Sequence, residues 1–191
     1  GLGDFMRVIS GSARGSRLKS LEGLSTRPTT DRIKETLFNI LAPDIYDCVF
    51  LDLFSGSGAI AIEALSRGAK EAVLVENSAK AVEIIKENLI HTKLYDKAEI
   101  IKADVFSALE ELRLKGRQFD IIFMDPPYNS GLYGEVLKKI AEAEILRENG
   151  IIIEEQSSKD SVPCVEGLFN YRVKDYGTTK MAFYTLEESY D

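Results

Sequence analysis

Four consecutive residues, Asp125-Pro126-Pro127-Tyr128, have the features needed for chemistry on a planar amino group. Prolines restrict the backbone and lack N–H groups, so the carbonyls of this segment are acceptors in a rigid loop. The Asp125 carboxylate and the Pro126 carbonyl can each accept one N–H of a base amino group and hold its nitrogen in line with a transferable methyl group. The Tyr128 ring offers a face on which a flipped base can stack. The segment therefore predicts methyl transfer to an exocyclic amino group, with all four residues in the catalytic site.

A glycine-containing turn, Asp52 to Ala59, follows an apolar run and opens a helical pattern. Its glycines, Gly56 and Gly58, permit a tight turn and let a ligand approach the backbone closely. Taken alone, this turn also fits the pattern of nicotinamide dinucleotide sites. Glu76, at the end of the next apolar run, can accept both ribose hydroxyls of an adenosine in either case. The turn and Glu76 together predict a cofactor that contains adenosine.

Asp52 helps to separate the two cofactor classes. An acid just before the turn would repel a pyrophosphate, whereas it can pair with the ammonium of an aminoacyl group. S-adenosylmethionine carries an ammonium and a sulfonium and has no phosphate. Asp104 could accept the adenine amino group, and it could also cap the helix that begins at Val105. These positions favour S-adenosylmethionine as the cofactor.

The elements that must position these residues are predicted by an alternation of apolar runs with helical patterns. Strands are predicted at 49–53, 72–76, 99–104, 119–124 and 150–154, and helices at 59–67, 79–90, 105–114 and 133–146. Two further strands, 171–176 and 180–185, are joined by a tight turn at 177–179. This order predicts an α/β fold, a seven-stranded and mostly parallel Rossmann-like sheet with helices on both faces and a C-terminal antiparallel hairpin. Such a closing hairpin is expected of class I methyltransferases and departs from the nicotinamide-binding pattern.

The N-terminal part of the chain, up to position 42, has a different character from the rest. It carries seven basic and four acidic side chains, a net charge of +3. The remainder of the chain has a net charge of −10, which gives the total of −7. A strand and turn at 7–15, a loop at 25–30 and an amphipathic helix of about three turns from Ile33 to Leu41 are predicted. We therefore expect an N-terminal extension at 6–42 and a main domain at 43–191, with residues 1–5 as a cloning remnant before Met6. The basic side chains indicate a phosphate-contacting face, although an ordinary solvated surface gives the same pattern.

Composition excludes several other classes. The chain has two cysteines, Cys48 and Cys164, and one histidine, His91, which is too few ligands for a structural zinc site, and no metal is expected. Two unpaired thiols suit a reducing compartment. No apolar run is long enough to span a membrane and no signal peptide is recognisable, so a cytoplasmic location without membrane partners is expected.

With these motifs in view, the chain resembles the RsmD family, bacterial methyltransferases that modify N2 of one guanine in small-subunit ribosomal RNA. The resemblance runs from Met6 to about Leu186. Its most specific part is the N-terminal extension at 6–42, the front end of the chain. There the chain reads Arg-Val-Ile-Ser-Gly at 7–11, Arg-Pro-Thr-Thr-Asp-Arg at 27–32 and Lys-Glu-Thr-Leu-Phe-Asn-Ile-Leu at 34–41. The turn at 52–58, the segment at 125–128 and the hairpin at 176–179 are similar to the family's pattern too.

The resemblance implies roles for particular residues. The cofactor site is predicted to comprise Asp52, Phe54, Gly56, Gly58, Glu76, Asn77, Asp104 and Val105. Residues 125–128 would hold the guanine. The implied partner is 16S rRNA in the small ribosomal subunit or an assembly intermediate, contacted by Arg7, Arg14, Arg17, Lys19, Arg27, Arg32 and Lys34.

Other functions remain open at this point. The same acceptor geometry would serve an amino methyltransferase that acts on adenine or cytosine in DNA, or on a glutamine amide of a protein. The front-end pattern and the lack of a separate target-recognition domain disfavour these. A nicotinamide-dependent oxidoreductase and a non-catalytic ribosome-assembly factor are the further alternatives.

Overall fold

A computed structural model describes residues 6–21, 31–127 and 130–190. The order of its elements is β1 Met6–Arg7, β2 Arg17–Leu18, α1 Asp31–Ile45, β3 Val49–Leu53, α2 Ala59–Ser66, β4 Glu71–Glu76, α3 Ala79–His91, β5 Ala98–Lys102, α4 Val105–Leu114, β6 Phe119–Met124, α5 Tyr133–Ala143, β7 Leu146–Ser157, β8 Leu168–Asp175, β9 Thr179–Leu186 and α6 Glu187–Tyr190. A short 3-10 helix, Tyr95–Lys97, precedes β5.

Seven strands form one sheet in the order β5-β4-β3-β6-β7-β9-β8, and β1 and β2 form a separate antiparallel pair. The first five strands of the large sheet are parallel, while β9 runs antiparallel to both β7 and β8. Because parallel strands need crossover connections, the helices lie on the faces of the sheet and the carboxyl ends of the strands meet at one edge. The predicted α/β class and class I methyltransferase architecture are confirmed.

Two apolar layers fill the space between the sheet and its helices. Every residue of β3 is buried, as expected for a central strand covered on both faces. One layer contains Phe50, Leu74 and Phe123 with residues of α1, α2 and α3. The other contains Leu51, Val73 and residues of α4 and α5. Alternate residues of each strand thus serve opposite layers, which anchors the strand ends that carry the predicted site.

The largest departure from the predicted elements lies between α5 and β7. The helix predicted to reach 146 ends at Ala143, because Glu144 adopts a left-handed conformation with φ 54°. The chain then enters β7 at Leu146, ahead of the predicted start at 150, and pairs with Phe119 before the register shifts. Apolar residues at 145 and 146 fit either element by periodicity, so only the pairing with β6 distinguishes them.

The N-terminal segment packs directly on the main sheet. Val8, Ala13 and Leu18 belong to the same apolar layer as α1, α2 and Phe50. The boundary predicted after residue 42 falls inside α1, which continues through Pro43 to Ile45 and has four turns rather than three. Predictions for residues 1–5 and for the loop at 25–30 lie outside the described residues. Over the described ranges, no helix is both long and apolar enough to cross a membrane.

Candidate active site

The predicted site residues follow four neighbouring strands. The turn at 54–58 follows β3, Glu76 ends β4, Asp104 comes shortly after β5, and Asp125 follows β6. Register pairs Leu53 with Val75 and with Met124, so these strand ends are adjacent. Segments that are far apart in the chain therefore meet at the carboxyl edge, where ligands bind in open α/β sheets.

The turn after β3 has a backbone that opens toward this edge. Phe54 has φ 61°, which is unusual for a bulky side chain and marks a constrained site. Gly56 has φ 60°, and a Cβ built there would meet nothing within 4 Å. The Ser55 N–H donates to the Val75 carbonyl at 2.9 Å, and the Gly58 N–H donates to the Ser55 carbonyl at 2.9 Å. The turn is therefore held by β4, while the space above Gly56 is open to a ligand.

Glu76 links the turn to the next helix. Its Oε1 accepts the Gly56 N–H at 2.9 Å, and its Oε2 accepts the Ser78 N–H at 2.8 Å. Ser78 in turn caps α3. Each carboxylate oxygen can accept a second hydrogen bond, so both oxygens keep capacity for ribose hydroxyls. The neighbouring Asn77 is exposed at the same strand end.

Asp52 lies at the base of the turn and is 2% exposed. Its Oδ2 accepts the Ser55 hydroxyl at 2.8 Å and the Ala61 N–H at 3.3 Å. Burial raises its pKa to about 7, and these two hydrogen bonds limit the increase. Both donors are neutral, so neither compensates the negative charge of the ionised carboxylate. A cationic ligand group beside Asp52 would compensate it.

Asp104 acts as the N-cap of α4. Its Oδ1 accepts the N–H groups of Phe106 and Ser107, and its Oδ2 accepts the Ser107 hydroxyl at 2.7 Å. The hydrogen bonds from Ser107 are the main reason that the pKa of Asp104 is lowered. Asp104 is exposed and Val105 behind it is buried, so the capping role does not hide the carboxylate from a ligand.

The segment after β6 is described from Asp125 to Pro127. Asp125 is half-buried, Pro126 is buried and Pro127 is exposed. The Ser130 N–H donates to the Pro127 carbonyl at 3.3 Å. Tyr128, predicted as a stacking platform, lies outside the described residues.

The basic front end divides into exposed and buried members. Arg7, Arg14, Arg17, Lys19 and Arg32 are exposed, and Arg27 lies outside the described ranges. Lys34 corrects the sequence-based expectation, because its side chain is 1% exposed and lies 3.3 Å from Glu63 Oε1. It also donates to the Arg7 carbonyl. Its pKa is lowered by burial, which the Glu63 carboxylate opposes. A lysine buried in this way stabilises the packing of the front end and cannot contact a phosphate.

Three polar residues that hold the front end in place were missed by the sequence analysis. Glu63 accepts the N–H groups of Ile9 and Ser10 and pairs with Arg67 at 2.8 Å. Ser66 and Asn88 make further bridges to the front end. A signal existed for two of them. Glu63 is the one charged residue in α2, and Asn88 falls on the apolar stripe of α3, where a polar residue needs partners.

Comparisons with known proteins agree with this architecture. The family described as Conserved hypothetical protein 95 matches residues 6–185. YlbH of Bacillus subtilis (strain 168), whose name describes a candidate rRNA methyltransferase, is 40% identical over 180 residues, 94% of this chain and 98% of YlbH. Ribosomal RNA small subunit methyltransferase D of Escherichia coli (strain K12) is 35% identical over 183 residues, 95% of this chain and 90% of that protein.

Solved structures extend the match to three dimensions. The structure of yhhF from Escherichia coli superposes with a TM-score of 0.85 at 36% identity, covering 96% of this chain and 98% of yhhF. The match therefore includes the N-terminal segment as well as the large sheet. This chain belongs to the family described as Conserved hypothetical protein 95, the RsmD family.

Proposed function

We propose that this protein transfers a methyl group from S-adenosylmethionine to the exocyclic N2 amino group of a guanine in 16S rRNA. The observation that carries the proposal is the meeting of the Asp52–Gly58 turn, Glu76 and Asp125–Pro127 at one sheet edge. Membership of a family that includes ribosomal RNA small subunit methyltransferase D supports the choice of substrate. The small subunit or an assembly intermediate in the cytoplasm is the proposed setting.

The residues at the turn fit the cofactor. S-adenosylmethionine supplies an electrophilic methyl group on its sulfonium when bound. Asp52 would pair with the ammonium, since its described donors are neutral and a cation beside it would favour the charged carboxylate that burial disfavours. Glu76 would accept the ribose hydroxyls and Asp104 the adenine amino group. Phe54, Gly56, Gly58, Asn77 and Val105 would line the same site.

The segment after β6 would hold the acceptor. The Asp125 carboxylate and the Pro126 carbonyl would each accept a hydrogen bond from one N–H of the guanine amino group. These two bonds would orient its nitrogen. The same acceptors stabilise the positive charge that develops on the nitrogen during transfer. Tyr128 would stack on the base. The front-end cations Arg7, Arg14, Arg17, Lys19, Arg27 and Arg32 would contact RNA phosphates, with Lys34 removed from this set because it is buried.

Ribosomal RNA from a strain that lacks the gene tests the substrate. We expect mass spectrometry to show the loss of one N2-methylguanine from 16S rRNA, restored by a plasmid copy. Loss of a methylated adenine or cytosine from DNA, or of methylated glutamine from a protein, would reject the guanine assignment. An unchanged set of modifications would leave the non-catalytic assembly factor as the better description.

Asp125→Ala tests the catalytic segment. We expect turnover to fall by about 100- to 1000-fold, as when an oriented acceptor or donor is removed from a transition state. Affinity for S-adenosylhomocysteine, measured by calorimetry, should stay within about threefold because Asp125 is not assigned to the cofactor. The control is Asp96→Ala, an exposed acid in the 3-10 helix before β5, at the opposite end of the strands. Lost cofactor binding in Asp125→Ala would contradict the proposed role, and tight binding of a nicotinamide dinucleotide would contradict the cofactor.

A further inference from the structure

One buried side chain, Asn88, joins the cofactor turn to the front end. Asn88 lies on α3 and is 2% exposed. Its Nδ2 donates to the Ser57 carbonyl at 2.9 Å, inside the turn after β3. The same Nδ2 donates to the Lys19 carbonyl at 3.0 Å, and Oδ1 accepts the Lys19 N–H at 2.8 Å. A single amide group thus contacts backbone atoms from two segments that are distant in the sequence.

The geometry of this bridge limits independent movement of the two segments. Both hydrogens of the amide and its oxygen are engaged, so the group has one arrangement that satisfies all three bonds. A shift of Ser57 or of Lys19 would leave a buried polar atom without its partner unless the other segment moved too. Residues 19 and 57 are therefore linked through Asn88.

The side-chain partners of three other front-end residues lie outside the turn. The N–H groups of Ile9, Ser10 and Ala13 donate to Glu63 and Ser66, which lie on α2 beyond the turn. Lys19, by contrast, contacts Asn88, which also holds the turn. The Lys19 ammonium continues the contact at the surface, 2.9 Å from Glu87 Oε2 on α3.

We infer that Asn88 is a positioning residue that couples the two substrates, so that a ligand in the turn and RNA on the front end strengthen each other's binding. This inference rests on the proposed function, since it takes the turn as the cofactor site and the front end as the RNA site. The physical basis is mutual ordering. A ligand above Gly56 restrains the Ser57 carbonyl, and Asn88 passes that restraint to the backbone of Lys19.

Coupling is measured as a ratio of affinities. The dissociation constant of S-adenosylhomocysteine is determined by calorimetry with and without saturating small-subunit rRNA transcript. We expect RNA to tighten binding by about fivefold to tenfold in the wild type, at the lower end of typical couplings. By linkage, S-adenosylhomocysteine tightens RNA binding by the same factor.

Two substitutions at the bridge test the role of Asn88. Asn88→Ala removes all three bonds, and Asn88→Asp keeps an acceptor for the Lys19 N–H but loses both donors. In each, we expect the coupling ratio to fall to about one. The matched control is Thr92→Val, which removes a buried hydroxyl that donates to the main-chain carbonyls of Asn88 and Leu89 and leaves the partners of the Asn88 side-chain amide in place. Thr92→Val should lose about as much unfolding free energy as the Asn88 variants. It should keep the wild-type coupling ratio, because a purely structural defect in α3 does not alter the bridge.

Hydrogen exchange on the wild-type protein provides a test that does not depend on the variants folding. Addition of S-adenosylhomocysteine should slow exchange at the Lys19 amide, which donates to Asn88, while amides of Ile9 and Ser10 change less. Unchanged exchange at Lys19, or a wild-type ratio of one, would overturn the coupling while leaving methyl transfer intact. If the coupling ratio is the same in Asn88→Ala as in the wild type, Asn88 does not transmit the coupling. If S-adenosylhomocysteine does not bind the wild type, both the proposed function and this inference fail.

Discussion

Asp52 is a buried acid whose preferred protonation state differs between the free protein and the protein with a cation bound at the turn. Its pKa in the folded protein is about 7, raised from 3.8 by burial. The folded state therefore binds a proton more tightly than the unfolded state does. It follows that the contribution of Asp52 to stability falls as the pH rises from about 4 to about 7. A cation at the turn reverses this preference, because it favours the charged carboxylate.

Asp52→Asn should separate these two effects. The amide oxygen can still accept the Ser55 hydroxyl, so the fold is retained. Affinity for S-adenosylhomocysteine should fall by about 10- to 100-fold, the value of a hydrogen bond to a charged group. The free variant should be more stable than wild type at pH 8 and show no gain at pH 4. Calorimetry and thermal unfolding at both pH values measure this. Undiminished affinity in the variant would exclude Asp52 as the ammonium partner.

Glu154 is a second buried acid, on β7 beside Met124. Its side chain is fully buried, and neither carboxylate oxygen has a hydrogen-bond partner among the described residues. Burial raises its pKa to about 8, which the Lys180 ammonium opposes. We predict that Glu154→Met stabilises the protein by about 1–3 kcal/mol at pH 8, since it removes an acid that must ionise or stay protonated in an apolar layer. The gain should shrink toward pH 4, below the unfolded-state pKa. Urea unfolding at the two pH values tests the sign, and a loss of stability at pH 8 would contradict it.

At the level of elements, the front end docks on the last turn of α2. The Ser12 N–H donates to the Ser66 carbonyl at 2.8 Å, and Ser66 Oγ donates to the Ser10 carbonyl at 2.7 Å. Gly11 sits between these contacts with φ 93°, and a Cβ built there would lie 1.8 Å from the Ser66 carbonyl oxygen. Only glycine permits this approach, so the docking of a whole segment depends on one missing side chain.

Gly11→Ala should therefore displace the front end from α2. We expect a loss of about 3 kcal/mol or more in unfolding free energy, because a backbone oxygen cannot move aside as a side chain can. Gly15→Ala is the matched control, since φ is 85° there but a Cβ meets nothing within 4 Å. It should cost only about 1–2 kcal/mol, the strain of a left-handed alanine. Equal losses for the two variants would show that backbone strain, and not docking, governs this segment.

At the level of the whole molecule, charge is distributed unevenly. Residues 1–42 carry a net charge of +3 and residues 43–191 carry −10, and the front end packs on the layer formed with α1, α2 and α3. Helices α4 and α5 cover the opposite face. An acidic body repels RNA except where the front end faces it, which favours one orientation of binding over general adhesion.

Replacement of three exposed arginines tests this orientation. Changing Arg7, Arg14 and Arg17 to Gln should weaken binding of small-subunit rRNA and reduce the slope of log K against log salt by about 2, if each contacts one phosphate. The control changes Lys115, Lys138 and Lys139 to Gln, an equal change of charge on the side of α4 and α5. Filter binding at several salt concentrations measures both. Equal slopes for the two triple variants would mean that net charge alone matters.

Much of the fold could be predicted because its signals are local. The strand at 49–53, the helix at 105–114 and the strand at 119–124 have the predicted bounds. Their apolar spacing and their flanking residues act within a few positions, so no distant partner is needed to recognise them. The end of α5 could not be predicted, because Leu146 joins a strand only through its pairing with Phe119.

Residue types and their spacing were sufficient to predict the parallel sheet, the turn after β3 and the position of Asp125 at a strand end. Those features follow from backbone restrictions and periodicity that each segment carries within itself. Whether a charged side chain is exposed depends instead on which distant segment packs over it. Lys34 was predicted to contact phosphate and is buried against Glu63, and the bridge of Asn88 between Ser57 and Lys19 has no counterpart in any local pattern. Packing between segments far apart in the chain made that difference, because burial and hydrogen-bond partners are properties of the assembled layers.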